Sequence, residues 1–125
     1  MQALLRLLEQ LRANMERVAD SVDVEPVHDL RVSVRRATEA LRRARPGERK
    51  LRKEIKAIRE KAAAVRDRDV TRQILRRLRL PASDPAMIYL TAQRDFAAAD
   101  LQQFLRKQLS KDRPARWKTW VQEAS

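Results

Sequence analysis

Residues 26–44 read Pro26-Val27-His28-Asp29-Leu30-Arg31-Val32-Ser33-Val34-Arg35-Arg36-Ala37-Thr38-Glu39-Ala40-Leu41-Arg42-Arg43-Ala44, and their spacing decides the fold class. At about 100° per residue, Leu30, Val34, Ala37 and Leu41 share one arc, with Val27 at its edge. That recurrence at three and four residues is the signature of an amphipathic helix. His28, Arg31, Arg35 and Arg42 fall on a single edge beside the apolar arc, as a ladder about 21 Å long at about 1.5 Å per residue. Cations that border a core are partly desolvated. A row of like charges there costs free energy unless an anion neutralises it. Snorkelling arginines with carboxylate partners are the bland alternative, but this segment supplies only Asp29 and Glu39. Pro26 suits the first turn of a helix, and Arg45-Pro46-Gly47 stops it.

Reading outward from this segment gives the rest of the architecture. Leu4, Leu8, Leu11, Met15 and Val18 predict a first helix over Met1 to Asp20, followed by a loop over Ser21 to Glu25. A third helix is expected from about Glu48 to Leu80, ending before Pro81. Asp84-Pro85 reads as an N-cap and first turn, opening a fourth helix that runs to about Ser110. Pro114 precedes a short last helix carrying Trp117 and Trp120. The fold class predicted is all-α: an up-and-down antiparallel bundle of about four main helices plus a short C-terminal helix, one domain over residues 1–125.

The third segment repeats the basic edge of the second. Arg52, Lys56, Arg59 and Arg66 run beside an apolar face made of Leu51, Ile55, Ile58, Ala62 and Val65, and the small Ala63 within the ladder leaves room for a ligand or a close helix contact. Two antiparallel helices so built are expected to face each other across a groove. Asp67 and Asp69 interrupt the pattern, and one of them is expected to orient an arginine by an ion pair. On the fourth segment Arg94 lies within the stripe of Met87, Leu90, Ala97, Ala98, Leu101 and Leu105. A core-facing arginine needs either an internal carboxylate or a bound anion.

Composition narrows the function classes. The chain has 125 residues, with 29 Lys/Arg against 17 Asp/Glu, a formal net charge of +12. Residues 1–25 hold 3 basic and 5 acidic side chains, residues 26–79 hold 19 and 7, and residues 80–125 hold 7 and 5. The excess thus sits in the middle of the chain, whereas a generic charged surface would spread it. Of the 29 basic residues, 22 are Arg, and a guanidinium fork engages phosphate oxygens two at a time. With no Cys, a disulfide framework and a thiolate metal site are excluded. No stretch is long and apolar enough to span a bilayer, and Met1 to Leu8 lacks the pattern of a signal peptide, so the expected location is the cytoplasm.

His28-Asp29-Leu30-Arg31-Val32-Ser33-Val34-Arg35-Arg36, then Ile55-Lys56-Ala57-Ile58, then Val65-Arg66-Asp67-Arg68-Asp69-Val70 resemble the signature of the CHAD family, a histidine-bearing α-helical domain. The blocks stand in the family's order and at about its separation. The resemblance implies a helical bundle whose basic residues line a channel for inorganic polyphosphate; polyphosphate granules are then a candidate location within the cytoplasm, which the sequence leaves open. The resemblance assigns the lining role to His28, Arg31, Arg35, Lys56 and Arg66, while Arg36, Arg42, Arg52, Arg59 and Arg94 join them on the helical-wheel argument. The chain departs from the pattern in carrying Arg68 where an apolar residue is usual, and in matching one of the family's two similar halves. Pairing of two copies in a homodimer would supply the second half.

The function expected is therefore non-catalytic binding of inorganic polyphosphate, with no cofactor, no metal and no membrane partner. The alternative is a helical nucleic-acid-binding protein gripping the phosphate backbone. Against it, residues 26–79 contain no aromatic side chain for stacking, and no Gly-containing turn marks a helix-turn-helix. An enzyme acting on phosphoanhydrides would need clustered carboxylates for a metal, or a nucleophile. A scaffold for an acidic protein tail would use the same ladders.

Overall fold

The computed structural model describes residues 2–123. Among these the elements are α1 (Gln2–Asp20), α2 (Val24–Ala44), α3 (Arg49–Arg77), α4 (Pro85–Ser110) and α5 (Pro114–Glu123), with no strand. Met1, where the first helix was expected to begin, lies outside the described residues. α1 packs on α2 and α4, and α3 packs on the same two neighbours, so the four long helices close a ring around one core. The connections are short, which forces the up-and-down antiparallel order. α5 folds back onto α1.

The core follows the apolar spacing. Leu4, Leu8, Leu11, Met15 and Val18 of α1 meet Val27, Leu30, Val34, Ala37 and Leu41 of α2. The other half comes from Leu51, Ile55, Ile58, Ala62 and Val65 of α3, and from Ala98, Leu101 and Leu105 of α4. All of these are nearly or fully buried. Trp117 of α5 is buried beside them, and Lys50 lies 6.0 Å over the ring of Trp120, so α5 is held against both α1 and the start of α3.

Helix ends differ from expectation in two places, each for a local reason. α2 begins at Val24 rather than Pro26, with Asp23 at the N-cap position. Pro26 then sits in the first turn, where the backbone N–H lacks an intrahelical partner anyway, so its missing donor costs nothing. α3 ends at Arg77 rather than Leu80. There Arg79 takes a left-handed backbone, φ 64°, and Leu80 N–H donates to the Leu75 carbonyl at 3.1 Å, a capping pattern that usually employs glycine. α4 spans the expected residues, with the Asp84 carboxylate accepting from Ala86 N–H at 2.9 Å. Glu48 caps α3 by accepting from the N–H groups of Lys50 and Leu51.

Candidate functional site

The seam between α2 and α3 is looser than the α1–α2 and α3–α4 seams. A groove of about 580 Å³ runs along that seam, lined by His28, Arg31, Arg35, Thr38, Glu39 and Arg42 of α2 and by Arg59, Arg66 and Val70 of α3. A second concavity of about 510 Å³ continues it toward the α2–α3 turn and adds Arg52 and Lys56, with Arg42 and Arg59 shared between the two. The antiparallel register explains the grouping. His28 and Arg31 stand across from Arg66 and Val70, and Arg42 stands across from Lys56 and Arg59.

The groove has an apolar floor and a cationic rim. Val34, Leu41 and Ile55 reach its floor although they belong to the core. Arg31 and Arg66 are half-buried, while Arg35, Arg42, Arg52, Lys56, Arg59 and His28 are exposed. Seven Lys/Arg side chains stand against one carboxylate, Glu39, among the lining residues. Arg31, Arg35, Arg42, Arg59 and Arg66 make no ion pair or hydrogen bond among the described residues. Arg52 donates to the Pro46 carbonyl, and Lys56 lies 4.0 Å from Glu60 on the exposed face of α3, a pairing too solvated to hold it. Thr38 spends its hydroxyl on the Val34 carbonyl at 2.7 Å. The result is a row of uncommitted guanidinium groups beside an apolar floor, with Arg31 and Arg66 in the half-buried positions where water screens an ionic contact less than it does in bulk.

Two of the residues singled out from the sequence are placed elsewhere. Arg36 is exposed and lines neither concavity, because α3 packs on the Arg35 side of α2 and Arg36 stands about 100° further round the helix. Arg94 is buried on α4, where Nε donates to Asp69 Oδ1 at 2.9 Å and Nη2 donates to Asp69 Oδ2 at 3.3 Å and to the Val22 carbonyl. Its partner is thus an internal carboxylate and not a groove ligand. Asp69 also accepts from Arg72 Nη2 at 3.2 Å, so of the two aspartates it is Asp69 that orients arginines, while Asp67 is exposed. Arg68 lies half-buried on the far side of α3, donating to the Ala64 carbonyl at 3.1 Å. Val32, Thr38, Glu39 and Val70 are lining residues that the basic-ladder reading omitted, since that reading counted only cationic positions along the edge.

No group of three His, Cys, Asp or Glu side chains among the described residues is placed to hold a metal ion. No described helix is long and apolar enough to cross a membrane.

The two helices that line the groove carry the His28–Arg36 and Val65–Val70 blocks, and the CHAD domain family model matches residues 2–125. The chain belongs to the CHAD domain family. The CHAD domain is a binding-type domain linked in general to polyphosphate. No curated protein and no solved structure matches the chain.

Proposed function

We propose that this CHAD domain binds inorganic polyphosphate, without transforming it, in the groove between α2 and α3. The observation that supports this reading most directly is that Arg31, Arg35, Arg42, Arg59 and Arg66, five guanidinium groups gathered on one rim, have no protein partner among the described residues. A linear polyanion presents repeated phosphate oxygens along its length, and two facing ladders offer a matching row of forked donors. Arg31, Arg35 and Arg66 anchor the chain over the apolar floor. Arg42, Arg59, Arg52 and Lys56 carry it toward the α2–α3 turn, and His28 donates a ring N–H to a phosphate oxygen at the opposite end. A homodimer completing the channel is the partner that this reading favours.

A binding isotherm with polyphosphate of defined length tests it. The double change Arg31→Ala and Arg35→Ala is expected to weaken binding at least about tenfold, because charge-assisted hydrogen bonds contribute roughly 1.5–3 kcal/mol each. In competition at one fixed salt concentration, polyphosphate should displace single-stranded DNA from the wild type, since the groove lining holds no Phe, Tyr or Trp on which bases could stack. Stronger binding of DNA, or an unchanged isotherm for the double variant, would remove the proposal.

A further inference from the structure

The bundle ends in a step where α1 meets α2. Arg94 Nη2 donates to the Val22 carbonyl, so the α1–α2 connection lies level with Asp69 and Arg94. Beyond that level α3 continues through residues 70–77, and α4 approaches through residues 85–93. Each adds about two turns, roughly 12 Å. The low shoulder is the end of α1 and the start of α2, and the tall part is the α3–α4 hairpin.

Apolar side chains that the fold leaves uncovered border this step. Among the described residues they are Val24 on the shoulder and Val70, Ile74, Leu78 and Ile88 on the hairpin, whereas the exposed Tyr89 and Phe96 line a concavity between α3 and α4 with Ala64 and Arg68, away from the step. Leu78 is 65% exposed. Charge divides across the step. The shoulder bears Asp20, Asp23 and Glu25, and the hairpin tip bears Arg76, Arg77 and Arg79. None of these six forms an ion pair among the described residues, and the Asp23 side chain makes no capping hydrogen bond.

A step of this kind fits a copy of itself. Rotation about a two-fold axis perpendicular to the bundle sets each tall hairpin over the other molecule's low shoulder, and closes the contact isologously. Arginines then face carboxylates, twice, and Leu78 approaches Val24 of the second copy. The geometry points to a homodimer formed step against step, with the α3–α4 tip of each chain seated on the α1–α2 connection of its partner. This deepens the partner element of the function proposed above, although the surface is argued without reference to the ligand. An anionic bilayer is the poorer occupant, since the shoulder carboxylates beside the apolar side chains would repel it.

Sedimentation equilibrium of the full chain, at low salt and without polyphosphate, provides the test. The wild type is expected to be dimeric. A shoulder variant (Asp20→Lys, Asp23→Lys, Glu25→Lys) and a tip variant (Arg76→Glu, Arg77→Glu) should each be monomeric, because each sets like charges across both contacts. Mixed one to one they should form a heterodimer, in which both contacts are again between opposite charges. All five positions are exposed, and circular dichroism checks the fold of each variant. If a charge variant does not fold, Ile74→Ser with Leu78→Ser should still weaken wild-type self-association at least about tenfold. A monomeric wild type, one that binds anionic vesicles instead, variants that stay dimeric, or a mixture that stays monomeric would each overturn the inference. Polyphosphate isotherms on the monomeric variants separate this outcome from failure of the ligand assignment.

Discussion

Asp69 of α3 and Arg94 of α4 form a buried ion pair at 2.9 Å, with side chains 2% and 9% exposed. The pair ties three parts of the fold, because Arg94 also reaches the Val22 carbonyl and Asp69 also holds Arg72. Removing one member of such a pair leaves a charge buried without compensation. Asp69→Ala is expected to lower stability by about 3–5 kcal/mol in urea denaturation. Changing Arg94→Met in the same chain should restore part of that loss, with a coupling energy of at least about 1 kcal/mol in the double-mutant cycle. Additive effects would mean that the two side chains act independently.

Electrostatics of the groove predict a salt dependence that separates lining from non-lining arginines. A linear polyanion releases counterions as cations engage it, and the slope of log affinity against log salt counts those cations. Arg31→Ala with Arg35→Ala should reduce the magnitude of that slope by about 1.5. Arg36→Ala should leave the slope unchanged and alter affinity by no more than about twofold, since Arg36 stands in open solvent where its field is screened and lines neither concavity. Isotherms at four salt concentrations check both. An equal effect of Arg36 would place the ligand on the outer face of α2.

Much of this was legible from spacing alone. The alternation of apolar and basic positions on residues 26–66 marks both helices, their buried faces and the edge on which the cations stand, because helical geometry converts sequence spacing directly into direction. Two things did not follow from it. Arg36 and Arg35 are adjacent in sequence, and only the position of α3 decides which of them overlooks the seam. The partner of Arg94 is likewise a matter of tertiary register, since 25 residues separate it from Asp69. The uneven top of the bundle was hidden for a related reason. Helix lengths are readable from the sequence, but how far one helix overshoots its neighbour depends on where the pairs are pinned, here at Val22, Asp69 and Arg94.

The α3–α4 turn carries strain that a single change relieves. Arg79 holds φ at 64°, a conformation that costs an L-residue roughly 1–2 kcal/mol, while the turn still makes the Leu80 N–H to Leu75 carbonyl bond at 3.1 Å and the Arg79 N–H to Arg76 carbonyl bond at 2.9 Å. Glycine takes this conformation without steric cost, and its greater freedom in the unfolded chain offsets part of the gain. Because Arg79→Gly and Arg79→Ala remove the same tip charge, Arg79→Gly is expected to exceed Arg79→Ala in stability by about 0.5–1 kcal/mol, a difference in Tm of about 2–4 °C for a chain of this size. Arg79→Ala retains the Cβ responsible for the clash. Thermal unfolding of the two variants beside the wild type decides the point, and equal Tm values for Gly and Ala would show that the left-handed turn stores no recoverable strain.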